Sequence, residues 1–91
     1  MGNVKYSKIS TSNGVIELNK NIYENKFDNY EYIKIYDVMG KVKVYINNIN
    51  DKNDFILLEN NDFELEDIQI NSLKVVPASD FKIQFKYVVA K

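Results

Sequence analysis

Four residue types are missing from this 91-residue chain, which has no cysteine, histidine, tryptophan or arginine. Without cysteine the protein has no disulfide and no thiolate metal site. The absence of histidine and cysteine removes the commonest general base and the strongest nucleophile, and it excludes a serine triad of the usual form. We therefore expect that the protein is not an enzyme, and we expect neither a cofactor nor a metal ion.

An excess of charge of one sign is also missing, because 12 basic residues, all lysines, face 13 acidic residues and leave a net charge of −1. Nucleic-acid binding requires clustered positive charge and favours the bidentate guanidinium of arginine. The lysines are instead scattered among carboxylates. No apolar run approaches the roughly 18–20 residues of a membrane-spanning helix. We therefore expect neither a nucleic-acid nor a membrane partner.

A calcium loop is the one metal motif that the sequence approaches. Asp51, Asn53 and Asp54 have the Asp-x-Asn spacing of an EF-hand loop. Ile56 stands where that loop needs glycine, and no glutamate completes the pattern. Asn and Asp strongly favour turns, so the segment is interpreted as a turn.

The residues that are present favour strands. No window has the three- and four-residue apolar spacing of a helix, whereas β-branched and aromatic residues alternate with polar ones. Turn signals recur at roughly 8–12-residue intervals, which is typical of an antiparallel sandwich or small barrel. The sequence therefore predicts one all-β domain over residues 1–91, a small antiparallel β-sandwich, jelly-roll-like or Ig-like, of about eight short strands without substantial helix. The predicted strands are Val4–Ile9, Val15–Leu18, Tyr30–Val38, Lys41–Asn47, Phe55–Leu58, the alternating stretch Phe63–Glu66 and Ile68–Ile70, Leu73–Val76, and Phe81–Val89.

Tight turns at Thr11–Gly14 and Pro77–Asp80 and three further polar segments are among the predicted connections between these strands. Residues Asn19–Asn29 form a polar connection, anchored from below by Ile22, Tyr23 and Phe27. Residues Asn47–Asn53 form a loop rich in Asn and Asp, and Glu59–Asp62 form a tight turn.

The central prediction is a β-hairpin in which Tyr30–Val38 pairs with Lys41–Asn47 around a turn at Met39-Gly40. In that pairing Ile33 opposes Ile46 and Ile35 opposes Val44, which gives an aliphatic core face. The other face collects tyrosines and lysines, and its proposed contact residues are Tyr32, Lys34, Tyr36, Lys43 and Tyr45.

Three interpretations of this tyrosine and lysine face stay open at the level of sequence. Cross-strand packing explains such a stripe on a half-exposed sheet. Tyrosine is also enriched at protein interfaces, which favours a contact surface. Stacking of Tyr32, Tyr36 and Tyr45 on a sugar is the third, although the chain lacks the tryptophan that sugar-binding faces tend to carry.

The second half of the chain has a recognisable order of elements. An alternating strand (Val42–Asn47) and a polar loop precede a leucine before a tight turn, a Phe-x-Leu strand (Phe63–Leu65), a Ser-Leu-Lys-Val strand (Ser72–Val75) and an alternating final strand. This pattern resembles small β-sandwich virion proteins of tailed bacteriophages. It departs from them at Glu59–Asp62, where that family favours Pro-Gly before an acidic residue and this chain has Asn60-Asn61 before Asp62.

The resemblance implies a non-enzymatic structural protein of a phage particle, made in the bacterial cytoplasm and located in the virion. The expected role is capsid decoration, with the major capsid protein or other virion proteins as partners and with symmetric homo-oligomers. Two alternatives stay open, namely a carbohydrate- or receptor-binding module of a tail or fibre and a small inhibitor or adaptor of a host protein.

Overall fold

The computed structural model describes residues 6–47 and 53–91, and these form seven strands in one antiparallel sheet. The all-β prediction is confirmed. No helix occurs among the described residues, and so none there is long and apolar enough to span a membrane. The strands are β1 (Ile9–Thr11), β2 (Ile16–Leu18), β3 (Tyr23–Met39), β4 (Lys41–Ile46), β5 (Ile56–Glu59), β6 (Phe63–Pro77) and β7 (Ile83–Ala90).

The sheet folds over because two of its strands are long. The order is β1-β7-β3-β6-β4-β5, with β2 following β1 along the same side of β7. β3 and β6 pair along both of their halves, from Tyr23 opposite Val75 to Ile35 opposite Phe63. The second half of β3 also pairs with β7, whereas the second half of β6 also pairs with β4. Each long strand therefore belongs to both layers of a small sandwich.

Two β-bulges mark the bend between the layers. The register of β3 against β6 shifts on both sides of the pair formed by Tyr30 and Ile70. Asn29 and Asp67 lie in these bulges with positive φ angles of 53° and 61°, a conformation that Asn and Asp adopt more readily than other side chains. Gln69 Nε2 donates a hydrogen bond of 2.9 Å to Asn29 Oδ1 and ties the two bulges together.

The core lies between the two layers. Its largest fully buried side chains come from β3, β6 and β7, and they include Ile33, Ile35, Ile70, Leu73 and Phe85. The ring of Tyr23, in the first half of β3, lies 5.7 Å from the ring of Phe85 in β7, although the two strands do not pair there. This contact crosses from one layer to the other. The predicted aliphatic core faces of β3 and β4 are confirmed.

The predicted hairpin between β3 and β4 is wrong. The two strands are consecutive but do not pair, because β3 lies between β7 and β6 and β4 lies between β6 and β5. Ile33 opposes Leu65 and Val89 rather than Ile46. Alternation identifies the buried face of each strand. It does not show whether two strands with the same alternation pair side by side or face each other from opposite layers. The chain at Gly40 therefore forms an arch between layers.

A second arch joins β5 to β6 at the predicted tight turn, and the two arches contact each other. Gly40 N–H donates to Asn60 Oδ1 at 2.8 Å, and Asn60 N–H donates to the Gly40 carbonyl at 3.1 Å. Gly40 has φ +102°, and a Cβ built on it would lie 2.5 Å from Ile83 Cγ2. Only glycine fits this conformation and this close approach.

Three further predictions need correction. The supposed connection Asn19–Asn29 contains the first seven residues of β3, where the inward Asn25 conceals the strand alternation and donates to the Tyr87 hydroxyl at 3.0 Å. Phe81 precedes β7 and is 81% exposed rather than buried. The strands predicted over residues 63–76 form the single strand β6, because a bulge interrupts the alternation without ending the strand. Residues 4–5 of the first predicted strand and 48–52 of the Asn47–Asn53 loop lie outside the described residues.

Candidate functional site

The fold separates the five predicted contact residues into two groups. Because β3 and β4 lie in different layers, their outward side chains lie on opposite outer surfaces. Tyr32, Lys34 and Tyr36 lie on one surface, and Lys43 and Tyr45 lie on the other. The single tyrosine and lysine face therefore does not exist, and no one sugar can stack on Tyr32, Tyr36 and Tyr45 together.

The first surface, which we call the β3 face, comprises Tyr6, Tyr32, Lys34, Tyr36, Glu64 and Lys86. The rings of Tyr6 and Tyr32 lie 5.4 Å apart, and the Tyr32 hydroxyl donates a hydrogen bond to Glu64 Oε2. Partial burial and the bond to Glu64 raise the pKa of Tyr32 to about 12. Lys86 lies over the Tyr36 ring and pairs with Asp37 at 3.4 Å. These side chains engage one another, as expected of cross-strand packing.

The second surface, which we call the β5 face, comprises Lys43, Tyr45, Phe55, Leu57 and Lys74. Four of its side chains form a row in which two adjacent rings have a lysine at each end. Lys43 Nζ lies 5.0 Å from the centroid of the Phe55 ring, the Phe55 and Tyr45 rings lie 5.7 Å apart, and Lys74 Nζ lies 5.2 Å from the centroid of Tyr45. This geometry matches cation–π contact, which is worth about 0.5–1 kcal/mol at exposed sites.

The β5 face combines one buried aromatic ring with exposed apolar side chains. Tyr45 is 6% exposed and is held in place by its neighbours, whereas Phe55 is 36% and Leu57 50% exposed. Leu57 lies opposite Lys43 in the β4–β5 ladder. Aromatic and apolar side chains on a rigid sheet, rimmed by lysine ammonium groups, form a surface suited to another protein chain.

The β5 face adjoins an open edge of the sheet. β5 is the last strand in the order, and no described strand pairs with its outer side. Unpaired backbone groups on an edge strand can accept a further strand. The first three residues of β5, Ile56-Leu57-Leu58, are apolar and Glu59 ends the strand, so the face and the edge together offer both side-chain and backbone contacts.

Sequence reasoning missed Phe55 and Leu57 because the apolar run Phe55–Leu58 predicts a short buried strand. Only Leu58 is fully buried, at 2% exposure. An apolar run has no alternation from which to assign the faces. The missed signal was that a run of four apolar residues requires other side chains to cover both faces of the strand. The described residues cover one face of β5 well and the other only partly.

A cluster of polar side chains connects the two layers in the interior. The hydroxyls of Tyr23 and Tyr87 lie 2.8 Å apart, and Asn25 Nδ2 also donates to Tyr87. Burial, followed by the hydrogen bond with Tyr87, raises the pKa of Tyr23 well above its usual range. Phe27 packs its ring against Tyr87 and Tyr30. This cluster joins the first half of β3 to β7 and has a structural role.

A surface cavity of about 480 Å³ lies at the two bulges, lined by Asn29, Glu31, Asp67, Ile68 and Gln69. Within residues 6–47 and 53–91 no three His, Cys, Asp or Glu residues are grouped to hold a metal ion.

Comparison of the chain with protein-family models, with curated proteins and with solved structures found no match. The resemblance to phage virion proteins therefore stays a prediction.

Proposed function

We propose that this chain is a non-enzymatic structural protein that acts by binding other protein chains through its β5 face. The observation that carries the proposal is the exposure of Phe55 and Leu57 beside an open sheet edge. Contiguous apolar groups at an edge are an aggregation hazard unless a partner covers them. A surface of this kind fits binding better than solvation alone.

The setting that we propose is a phage particle, in which the protein decorates the capsid and binds the major capsid protein or another virion protein. This proposal for the setting rests on the resemblance of the second half of the chain to small β-sandwich virion proteins of tailed bacteriophages. Burial of the β5 face would supply on the order of 25 cal/mol per Å² of apolar surface before the costs of association. Lysines at its rim would favour a partner surface with carboxylates.

The test is the composition and stability of particles from a phage that encodes this chain. We expect the protein in purified particles at a stoichiometry fixed by the shell symmetry. Particles that lack the protein should release their DNA at a lower temperature and in low salt more readily than complete particles. Equal resistance of the two kinds of particle, with no protein bound to either, would contradict the proposal.

A small adaptor or inhibitor of a host protein would use the same face, and it differs in one measurable respect. Such a protein should be found on a host protein and not on assembled particles. Quantitative recovery of the tagged chain from infected cells, split between particle and soluble fractions, distinguishes the two.

A further inference from the structure

The backbone of β5 presents its open hydrogen-bonding groups at defined residues. Glu59 N–H donates to Asn61 Oδ1 at 2.7 Å rather than to β4, whereas the next residue, Asn60, directs its N–H to the Gly40 carbonyl at the start of β4. Peptide groups point to alternate sides along a strand. The N–H and C=O groups of Leu57, two residues before Glu59, therefore point to the open edge.

We propose that β5 pairs antiparallel with β5 of a second copy of this chain, with Leu57 on the two-fold axis. The proposal rests on the proposed role of the β5 face in protein binding, and it names the occupant of the adjoining edge. In this register Leu57 opposes its own counterpart, and Phe55 opposes Glu59 of the second copy. A two-fold contact of this type is self-complementary and closes on itself, so it gives a dimer rather than a fibre.

Charge complementarity selects the second copy and this register. In this register Glu59 of the second copy lies opposite Phe55, and Lys43 Nζ lies 5.0 Å from the centre of the Phe55 ring, so the ammonium group of Lys43 is directed across this ring toward the carboxylate. The two-fold axis repeats the arrangement, which gives two ammonium–carboxylate contacts at the ends of an apolar row. A register in which Phe55 opposes Leu57 of the second copy moves Glu59 outside the paired segment and forfeits both contacts.

The contact is short, so the dimer should be weak. β5 has 4 residues, and interfaces that bury less than about 1,200 Å² are typical of transient complexes. Association should therefore depend on concentration. An exchangeable dimer of this kind leaves the β5 edge available to a partner strand when that strand binds more tightly.

Single cysteines test the pairing cleanly, because the chain has none of its own. Opposed residues in a hydrogen-bonded antiparallel pair have Cα atoms about 5.5 Å apart, which lies within the range that a disulfide bridges. We expect Leu57→Cys to form a disulfide-linked dimer under mild oxidation. Phe55→Cys and Glu59→Cys should each stay monomeric alone and should cross-link when mixed. Glu17→Cys, exposed on β2 at the opposite edge, is the matched control and should stay monomeric.

The cross-linking pattern decides the outcome. A mixture of Phe55→Cys and Leu57→Cys that links in preference to Leu57→Cys alone would overturn the register. Failure of Leu57→Cys to link, in folded protein whose thiol reacts with a soluble probe, would overturn the pairing. Binding to particles would remain measurable in that case, so the proposed function and the pairing can fail separately.

The unsubstituted chain supplies a second measurement that needs no cysteine. Sedimentation equilibrium should give a mass that rises with concentration from 10.7 kDa toward twice that value. Glu59→Lys should hold the mass at the monomer value, and adding Lys43→Glu to it should restore the rise. A monomer at every concentration for the unsubstituted chain would overturn the proposal.

Discussion

The two ends of the strand order form edges that are built differently. One edge is formed by β1 and β2, which are 3 residues each and are separated by a turn at Asn13-Gly14. Glu17 in this edge pairs with Lys82, the residue before β7, at 3.1 Å. The other edge is β5, which is uninterrupted and presents Leu57 to solvent. Short and interrupted edges resist further pairing, whereas a continuous edge with exposed apolar side chains invites it.

The same fold therefore protects one edge and exposes the other. The β1–β2 edge lies on the side where Tyr23 and Asn25 bond to Tyr87 and close the two layers through side chains. The β5 edge begins at the arch that Gly40 and Asn60 hold together through their backbone. The second arrangement leaves the outer surface of β5 uncovered by described residues, which is what a binding edge requires.

The largest effect is expected when the arch beside β5 is broken. Gly40→Ala forces a side chain into a position with φ +102° and drives its Cβ against Ile83. The combined backbone strain and overpacking should lower the free energy of unfolding by about 2–4 kcal/mol. Urea unfolding followed by circular dichroism measures the loss.

The matched control for this variant lies in the turn of the opposite edge. Gly14 has φ +114°, but no atom lies within 4 Å of a Cβ built there. Gly14→Ala should therefore cost about 1 kcal/mol, from backbone strain alone. Equal losses for the two variants would mean that packing at the arch contributes nothing.

The second effect is on binding rather than on stability. Leu57 is 50% exposed, so Leu57→Lys should change the melting temperature little while placing an ammonium group in the centre of the β5 face. Binding to particles, or to a second copy, should weaken by about tenfold or more, as for a central apolar contact. Thr11→Lys on β1 is the control and should bind normally. Loss of binding in the β1 variant alone would reverse the comparison of the two edges.

A third effect concerns the polar contact that closes the β1–β2 side. Because the folded state raises the pKa of Tyr23, the neutral phenol stabilises the fold. That stability is fully present below the unfolded tyrosine pKa of about 10 and declines as the pH rises above it. Tyr23→Phe should lower the free energy of unfolding at neutral pH by about 1 kcal/mol, the net contribution of a hydrogen bond. On transfer from neutral pH to pH 11, this variant should lose less stability than the unsubstituted protein.

Tyr32→Phe is the control for that experiment on the β3 face. The pKa of Tyr32 is raised to about 12, but the hydrogen bond from its hydroxyl to Glu64 lies near solvent. Solvent screening therefore reduces what this bond contributes to the free energy of unfolding. Urea unfolding of the three proteins at several pH values gives the comparison. If Tyr23→Phe lost as much stability at alkaline pH as the unsubstituted protein, the Tyr23 hydroxyl would not have the inferred role.

The smallest effect is expected at the charged edge. The side chains of Lys82 and Glu17 are 60% and 52% exposed, so their ion pair is largely screened. Glu17→Gln should change the free energy of unfolding by at most about 0.5 kcal/mol and should leave binding unchanged. A loss above about 1 kcal/mol in the same urea assay would show that this pair supports the edge rather than merely keeping it charged.

The sequence predicted the layer faces of this fold but not its strand partners. Ile33 and Ile35 alternate with polar residues, and period alone assigned them to the core. The pairing of β3 with β6 and β7 joins residues far apart in the chain, and a local pattern carries no information about it. Asn25 conceals the first half of β3, because a half-buried amide bonded to Tyr87 looks like a loop residue in sequence.

The candidate site was predicted in part. Lys43 and Tyr45 do lie on the β5 face, and Tyr32, Lys34 and Tyr36 were grouped with them through the supposed hairpin. Phe55 and Leu57 were missed because a continuous apolar run does not distinguish the two faces of a strand.

Amide hydrogen exchange at the two edges tests the central claim, that β5 and not β1–β2 is the binding edge, most directly. Exchange rates would be measured at low and at high protein concentration, and again with particles added. We expect the Leu57 amide to exchange more slowly as its edge becomes paired, while the amides of Ile9–Thr11 and Ile16–Leu18 keep their rates. Unchanged exchange at Leu57 together with slowing in β1 or β2 would contradict it.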